Sequence, residues 1–286
     1  MTGDLPKFGS PPVIETVLNA QFARLPGFSN ALAGWFWKKH LGDEWPEVKE
    51  APPIADQFER FGKDRQFRAP SLVIGTEQVP QRLQITHSTS NKMIQIQDSR
   101  FTYNWRRRPK DATYPGYEEL LAEFLLYFES FDQFCNASCK KHVDLNQWEI
   151  TYFNNLQRED VWRTFEDWSE VIPSFQWPPA EPHSQPDGFQ GEWSFILGDN
   201  LGRLRVSLVH GRIGSESGTE SMLLQLTARG PIQLDKGIDL KTGLNMGHEA
   251  IVRSFTAMTS ATCHDRWKRT KWNDDGIQQY GRKLSH

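Results

Sequence analysis

Apolar and polar positions alternate along much of this chain, and the alternation is interrupted four times by a helical period. Val13 to Phe22, set between Pro11-Pro12 and Pro26-Gly27, is rich in β-branched residues and predicts a strand. Ala31 to Leu41 places Leu32, Trp35, Phe36 and His40 three or four residues apart, which predicts a short amphipathic helix. Residues 46–81 are rich in proline and charge and read as a long irregular insertion. Leu83, Ile85 and His87 alternate as a strand. Met93 to Arg106 follows, either as one bulged strand or as two short ones divided at Asp98-Ser99. After Tyr114-Pro115-Gly116-Tyr117, the residues Leu120, Leu121, Phe124, Leu125, Phe128, Phe131 and Phe134 give the strongest helical period in the sequence.

The second half runs in the same order. Trp148 to Phe153 predicts a strand, and Val161 to Val171, with Trp162, Phe165 and Trp168, predicts a short helix. A proline-rich loop covers Pro173 to Gly188. Three alternating runs follow, through Trp193, Phe195 and Leu197, then Leu204, Val206 and Leu208, then Met222, Leu224, Leu226 and Ala228. They predict an antiparallel meander with one buried face. A last helix, capped by Asn245, carries Ile251, Val252, Phe255 and Met258 on one stripe. The expected fold class is therefore α+β: two tandem antiparallel-sheet units, each backed by a long amphipathic helix. The first unit spans 1–140 with an insertion at 24–81, and the second spans 141–286 with an insertion at 156–190.

Composition narrows the function classes. The net charge of −3 lacks the basic excess of a general nucleic-acid binder. Three cysteines, an odd number, argue against a disulfide framework and favour a reducing compartment. No basic-then-apolar leader opens the sequence, and no apolar run approaches a membrane span, so a cytoplasmic protein is expected. Eleven Trp and 18 Phe exceed ordinary use and suit either a large core or an interface.

Candidate chemistry is sparse. Cys135, Cys139 and His142 have metal-like spacing but lack a fourth ligand, and Cys135 continues the apolar face of a helix, so packing is the preferred reading and no metal or cofactor is expected. His248-Glu249 falls short of the HExxH zinc motif because residue 252 is valine. Cys263 and His264 are adjacent, so on a helix they diverge by about 100° and do not form a dyad. His248, Glu249 and His264 stand as a secondary polar site. Arg106, Arg107 and Arg108, flanked by Trp105, Tyr114 and Tyr117, form the one basic and aromatic cluster and the first candidate for ligand or partner contact. The sequence lacks a phosphate-binding glycine loop and a GxSxG elbow.

Three segments in this order resemble a sporadically distributed, uncharacterised family of bacterial proteins of about this length. They are Pro11-Pro12-Val13-Ile14-Glu15-Thr16-Val17-Leu18, then Phe101-Thr102-Tyr103-Asn104-Trp105-Arg106 followed by Tyr114-Pro115-Gly116-Tyr117, and Gly247-His248-Glu249-Ala250-Ile251-Val252 before Phe255. No activity or catalytic residue comes with that resemblance. Its patchy distribution implies an accessory role in defence or toxin control. A sheet backed by a helix, stated twice, is also similar in outline to the SecB-type export chaperone. The expected function is a non-catalytic binding component that recognises another protein or a peptide, with self-association left open. The alternatives are a nucleic-acid-binding subunit using Arg106–Arg108, and a hydrolase or nuclease using His248, Glu249 or His264.

Overall fold

A computed structural model describes residues 4–62, 82–108, 113–177, 183–213 and 218–270. Nine antiparallel strands form one continuous sheet. They are β1 (Val13–Phe22), β2 (Glu47–Ala51), β3 (Arg82–Thr86), β4 (Lys92–Gln97), β5 (Arg100–Arg106), β6 (Leu145–Gln157), β7 (Gln190–Leu197), β8 (Gly202–Ile213) and β9 (Thr219–Pro231). Their order across the sheet is β2-β3-β4-β5-β1-β6-β9-β8-β7. The five α-helices of the described residues are α1 (Asn30–Phe36), α2 (Tyr117–Cys139), α3 (Trp168–Val171), α4 (Leu240–Met258) and α5 (Ala261–Arg266). The α+β class is as expected, and the chain between Met93 and Arg106 forms two strands with a tight turn at Asp98-Ser99. None of the helices is long and apolar enough to cross a membrane.

The sheet has a dry face and a polar face because successive strand side chains point to opposite sides. On the dry face, Leu18, Tyr103, Ile150, Ala228 and Leu204 lie in one cross-strand row, and every one is at most 1% exposed. The apolar stripe of α2 seats Phe131 against Phe22, Phe28, Phe36 and Phe101. Gly116 (φ 99°) turns the chain into that helix, and Lys140 (φ 57°) ends it in the left-handed region. The buried residues of both halves join in one hydrophobic core.

Over β6 and β9 the covering element is α4. Here the sheet presents Trp148, which is fully buried. Gly202 and Gly230 border its ring from the strands, and Gly243 and Gly247 border it from α4. A Cβ on Gly247 would lie 2.6 Å from Ile150 Cγ2 and 2.8 Å from Trp148 Cζ3, and one on Gly243 would strike the indole itself. These glycines let the helix axis approach the sheet over a large aromatic ring.

Several elements depart from expectation. The last helix begins at Leu240, with Asp239 as its cap accepting from Thr242 N at 2.7 Å, so Asn245 lies inside it. Gly243 and Gly247 resemble helix breakers in sequence, but their packing against Trp148 favours them. Cys263 and His264 sit on the separate α5, capped by Ser260 after the chain extends at Thr259. The expected helix over 161–171 is reduced to α3 and a preceding 3-10 turn. Trp162 instead donates its indole N–H to Leu156 O at 2.8 Å, and a Thr164–Asp167 capping box starts the turn late. At the centre, β1 pairs with β6 over its whole length, so the two halves share a sheet. Within the described residues of the insertion, β2 pairs with β3, Pro52-Pro53 end that pairing, and residues 54–61 cross the polar face. Its later part, 63–81, lies outside the described residues, as do 178–182 of the second insertion.

The two sheet edges differ. β2 exposes Glu47, Lys49 and Glu50, whereas β7 exposes Phe195 and Ile196.

Replacing Gly243 with Ala is expected to destabilise the protein by roughly 1–2 kcal/mol, because overpacking against Trp148 outweighs the gain in helix propensity. Gly34→Ala in α1, where an added Cβ meets nothing within 4 Å, is the control and should be neutral or stabilising. Urea denaturation of the two variants checks both signs.

Candidate functional site

The polar face of the sheet carries the candidate site. Register places Gln97, Arg100, Gln21 and Gln147 in one row across β4, β5, β1 and β6. Beside it runs a second row, Gln95, Thr102, Asn19, Glu149 and Arg229, and then a third, Asn104, Val17, Thr151, Thr227 and Arg205. Most of these side chains are amides, hydroxyls or paired ions.

The first row is already occupied, by the protein's own chain. The Gln97 amide accepts from Ile54 N at 3.0 Å and donates to Ile54 O at 2.8 Å, as a neighbouring strand would. Gln21 Oε1 accepts from Gln57 N at 2.8 Å, and Gln147 Oε1 from Glu59 N at 3.2 Å. Arg100 Nη2 donates to Ala55 O at 3.3 Å, and Arg203 Nη2 to Arg60 O at 3.0 Å. Three extended residues span about 10 Å, which matches two interstrand spacings of about 4.8 Å. Residues 54 and 57 therefore fall over β4 and β1, two strands apart.

Beside this strap lies a trough of about 470 Å³, walled by Ile54 and Gln57 and floored by the second and third rows. Thr151 and Thr227 hydrogen-bond to each other across it at 2.9 Å. Two donors in the lining lack partners: Asn19 Nδ2 and Arg100 Nε. Asn19 is 1% exposed and Arg100 4%, so neither reaches bulk water. A buried donor left unsatisfied costs about 1–3 kcal/mol. Burial presses the Arg100 pKa down, with Glu149 at 3.7 Å pulling it back up. The trough's lining charges balance, with Arg100, Arg205 and Arg229 against Glu15, Glu149 and Glu192. It offers alternating donors and acceptors without a strong field of one sign.

The basic and aromatic cluster is divided by the sheet. Trp105 is buried on the dry face against Tyr114, with ring centroids 5.2 Å apart. Arg106 is on the polar face with Glu15. Arg107 donates to Pro11 O at 3.1 Å, and Arg108 to Ser90 O at 2.7 Å. Tyr117 stacks on His248 at 3.9 Å and donates to Asn245 Oδ1 at 2.8 Å. His248 Nδ1 lies 2.9 Å from Tyr152 Oη, which lies 3.4 Å from Tyr114 Oη. Thus Tyr114, Tyr117 and His248 do meet, in a half-buried polar knot beside α4. Burial lowers the His248 pKa to about 4, against the opposing pull of Glu118 and Glu249, and raises that of Tyr152. At neutral pH the knot is uncharged. Glu249 points away and pairs with Arg253 at 2.7 Å. His264 is buried on α5, 2.9 Å from Thr259 Oγ1, and burial, then Arg269, lowers its pKa to about 4.

Cys135 is buried in α2, where burial raises its pKa, and His142 pairs with Asp132 at 2.7 Å. Among the described residues no three His, Cys, Asp or Glu side chains converge as a metal site. Sequence reasoning did not single out the polar rows. Their signal was the choice of Asn, Gln and Thr, where a merely wet face would carry Lys and Glu. No family model, curated protein or solved structure matches the chain.

His248 makes the acid limb of stability testable. Its folded pKa of about 4 lies below the ordinary 6.5, so the unfolded chain takes up the proton first. Its contribution is constant above pH 6.5 and becomes unfavourable as pH falls toward 4. Wild-type stability should drop across that window, and His248→Gln should flatten it by up to about 1.4 kcal/mol per pH unit. Chemical denaturation at a series of pH values measures the slope.

Proposed function

We propose that this chain is a non-catalytic binding protein that takes an extended polypeptide onto the polar face of its sheet. The observation that carries the reading is the strap. A segment of polypeptide crosses the sheet from β4 to β8, and its backbone N–H and C=O groups are held by side-chain amides and guanidinium groups of β4, β5, β1, β6 and β8. The open trough beside it continues the same chemistry, with Asn, Gln and Thr side chains along its floor. A ligand there would run parallel to the strap, across the strands.

The tandem organisation belongs to the same proposal. β1 pairs with β5, the last strand before α2, as β6 pairs with β9, the last strand before α4. That symmetry of order supports two sheet-and-helix units, 1–140 and 141–286, meeting at β1 and β6. It agrees with the outline likeness to SecB-type chaperones. The cytoplasmic setting, the bacterial family and the accessory role in defence or toxin control are carried as parts of the proposal, and co-purification with neighbouring gene products is their test. The nucleic-acid reading has less support, because Arg106, Arg107 and Arg108 each hold a group of this chain. The hydrolase reading has less as well, because His248, Glu249 and His264 have separate partners.

An array of synthetic peptides probed with the full-length protein should show a bound subset with micromolar affinity. Thr151→Trp, which fills the trough, should abolish binding, with circular dichroism showing that the sheet is retained. An array with no bound peptide, or binding indifferent to Thr151→Trp, would refute the proposal.

A further inference from the structure

We propose that Arg203, Arg205 and Arg229 form an anchor site for an acidic residue of an extended partner peptide, and that residues 54–61 occupy this site as an internal, displaceable copy of that ligand. The inference rests on the peptide-binding reading above and names the ligand class.

The anchor is built around Glu59. Its side chain is 1% exposed and lies 2.8 Å from Arg203 Nη1, in close contact with Arg205 Nη1, 3.1 Å from Arg205 Nη2 and 3.8 Å from Arg229 Nη1. Two residues on, the Phe61 ring lies 5.2 Å from the Arg203 guanidinium carbon. Glu59 is the one buried residue between Pro52 and Phe61, and Phe58 points half into solvent.

What holds the strap differs from what holds the fold. No residue of 52–61 belongs to the hydrophobic core, and the attachments described above are to side chains, not to a strand ladder. An element tied by polar contacts alone opens at lower free energy than the strands beneath it. Strap departure would therefore leave the core closed and the row Gln97, Arg100, Gln21, Gln147 free.

Departure has one strong obstacle, and that obstacle sets the specificity. Among the described ion pairs, Arg203 and Arg205 have no carboxylate partner but Glu59, and Glu149 is shared by Arg100 and Arg229. Without Glu59, Arg203 and Arg205 would keep no carboxylate partner among the described ion pairs, and Arg100 and Arg229 would be left sharing Glu149. An uncompensated buried charge is strongly unfavourable, so the strap yields only to a chain that brings its own carboxylate. The occupant defined this way is extended, places a glutamate or aspartate in the arginine cluster, and sets an aromatic ring two residues later on Arg203.

The test uses the full-length protein and a fluorescent peptide with the sequence of residues 52–62, PPIADQFERFG. Glu59→Gln removes the internal carboxylate but keeps its shape. The peptide should bind this variant at least about tenfold more tightly than wild type, a difference of about 1.4 kcal/mol. Binding should disappear when its own glutamate is replaced by glutamine, or when Arg205→Gln is added to the protein. In wild type, hydrogen exchange should show the amides of Ile54, Gln57 and Glu59 opening while β1 and β6 stay protected. Equal or absent binding to wild type and Glu59→Gln, or strap amides that exchange only with β1 and β6, would overturn the inference. If the peptide array still depends on Thr151 in that case, the trough reading stands and only the anchor is lost.

Discussion

Trp148 is the contact on which the arrangement depends. It stands on β6, beside the junction with β1, and its ring is enclosed by glycines from β8, β9 and α4. Large aromatic surface contributes strongly to a core, but only if the covering helix comes close. The four missing side chains make that approach sterically open. Once α4 is seated, it covers the dry face over β6 and β9, and the buried residues there join those under α2 in one core. The polar side chains of the sheet gather on the opposite face.

That division explains why the most suggestive sequence cluster dissolves. Trp105 and Arg106 are neighbours in a strand, so they face opposite sides, and the alternation rule applied to 101–106 already says so. The tyrosines join a half-buried knot with His248, whose pKa is lowered by the burial it has. Their abundance in the sequence is spent largely on rings packed at the dry face, such as Phe101, Phe124 and Phe131.

Much of the local structure was legible. The periodicity of Leu120 to Phe134 specified α2, and the runs around Leu204 and Leu224 specified the meander, because burial on one face imposes its own period. Less legible were features set by partners distant in sequence. The pairing of β1 with β6 depends on backbone groups that every residue carries. The start of α4 was hidden by Gly243 and Gly247, whose value comes from a tryptophan nearly a hundred residues away. The polar site was hidden because Gln21, Gln97 and Gln147 look like ordinary wet residues singly. Only register lines them up, and only the strap reveals what they hold.

Pro52 and Pro53 add a last consequence. Their rings lack an N–H and fix φ near −65°, so the chain leaves the β2–β3 ladder unable to extend it and already stretched. The first amide hydrogen it offers after them belongs to Ile54, where Gln97 receives it. This rigid dipeptide acts as a vernier: it fixes the phase in which later residues meet the glutamines, and it reduces the disorder that the segment must give up to lie down.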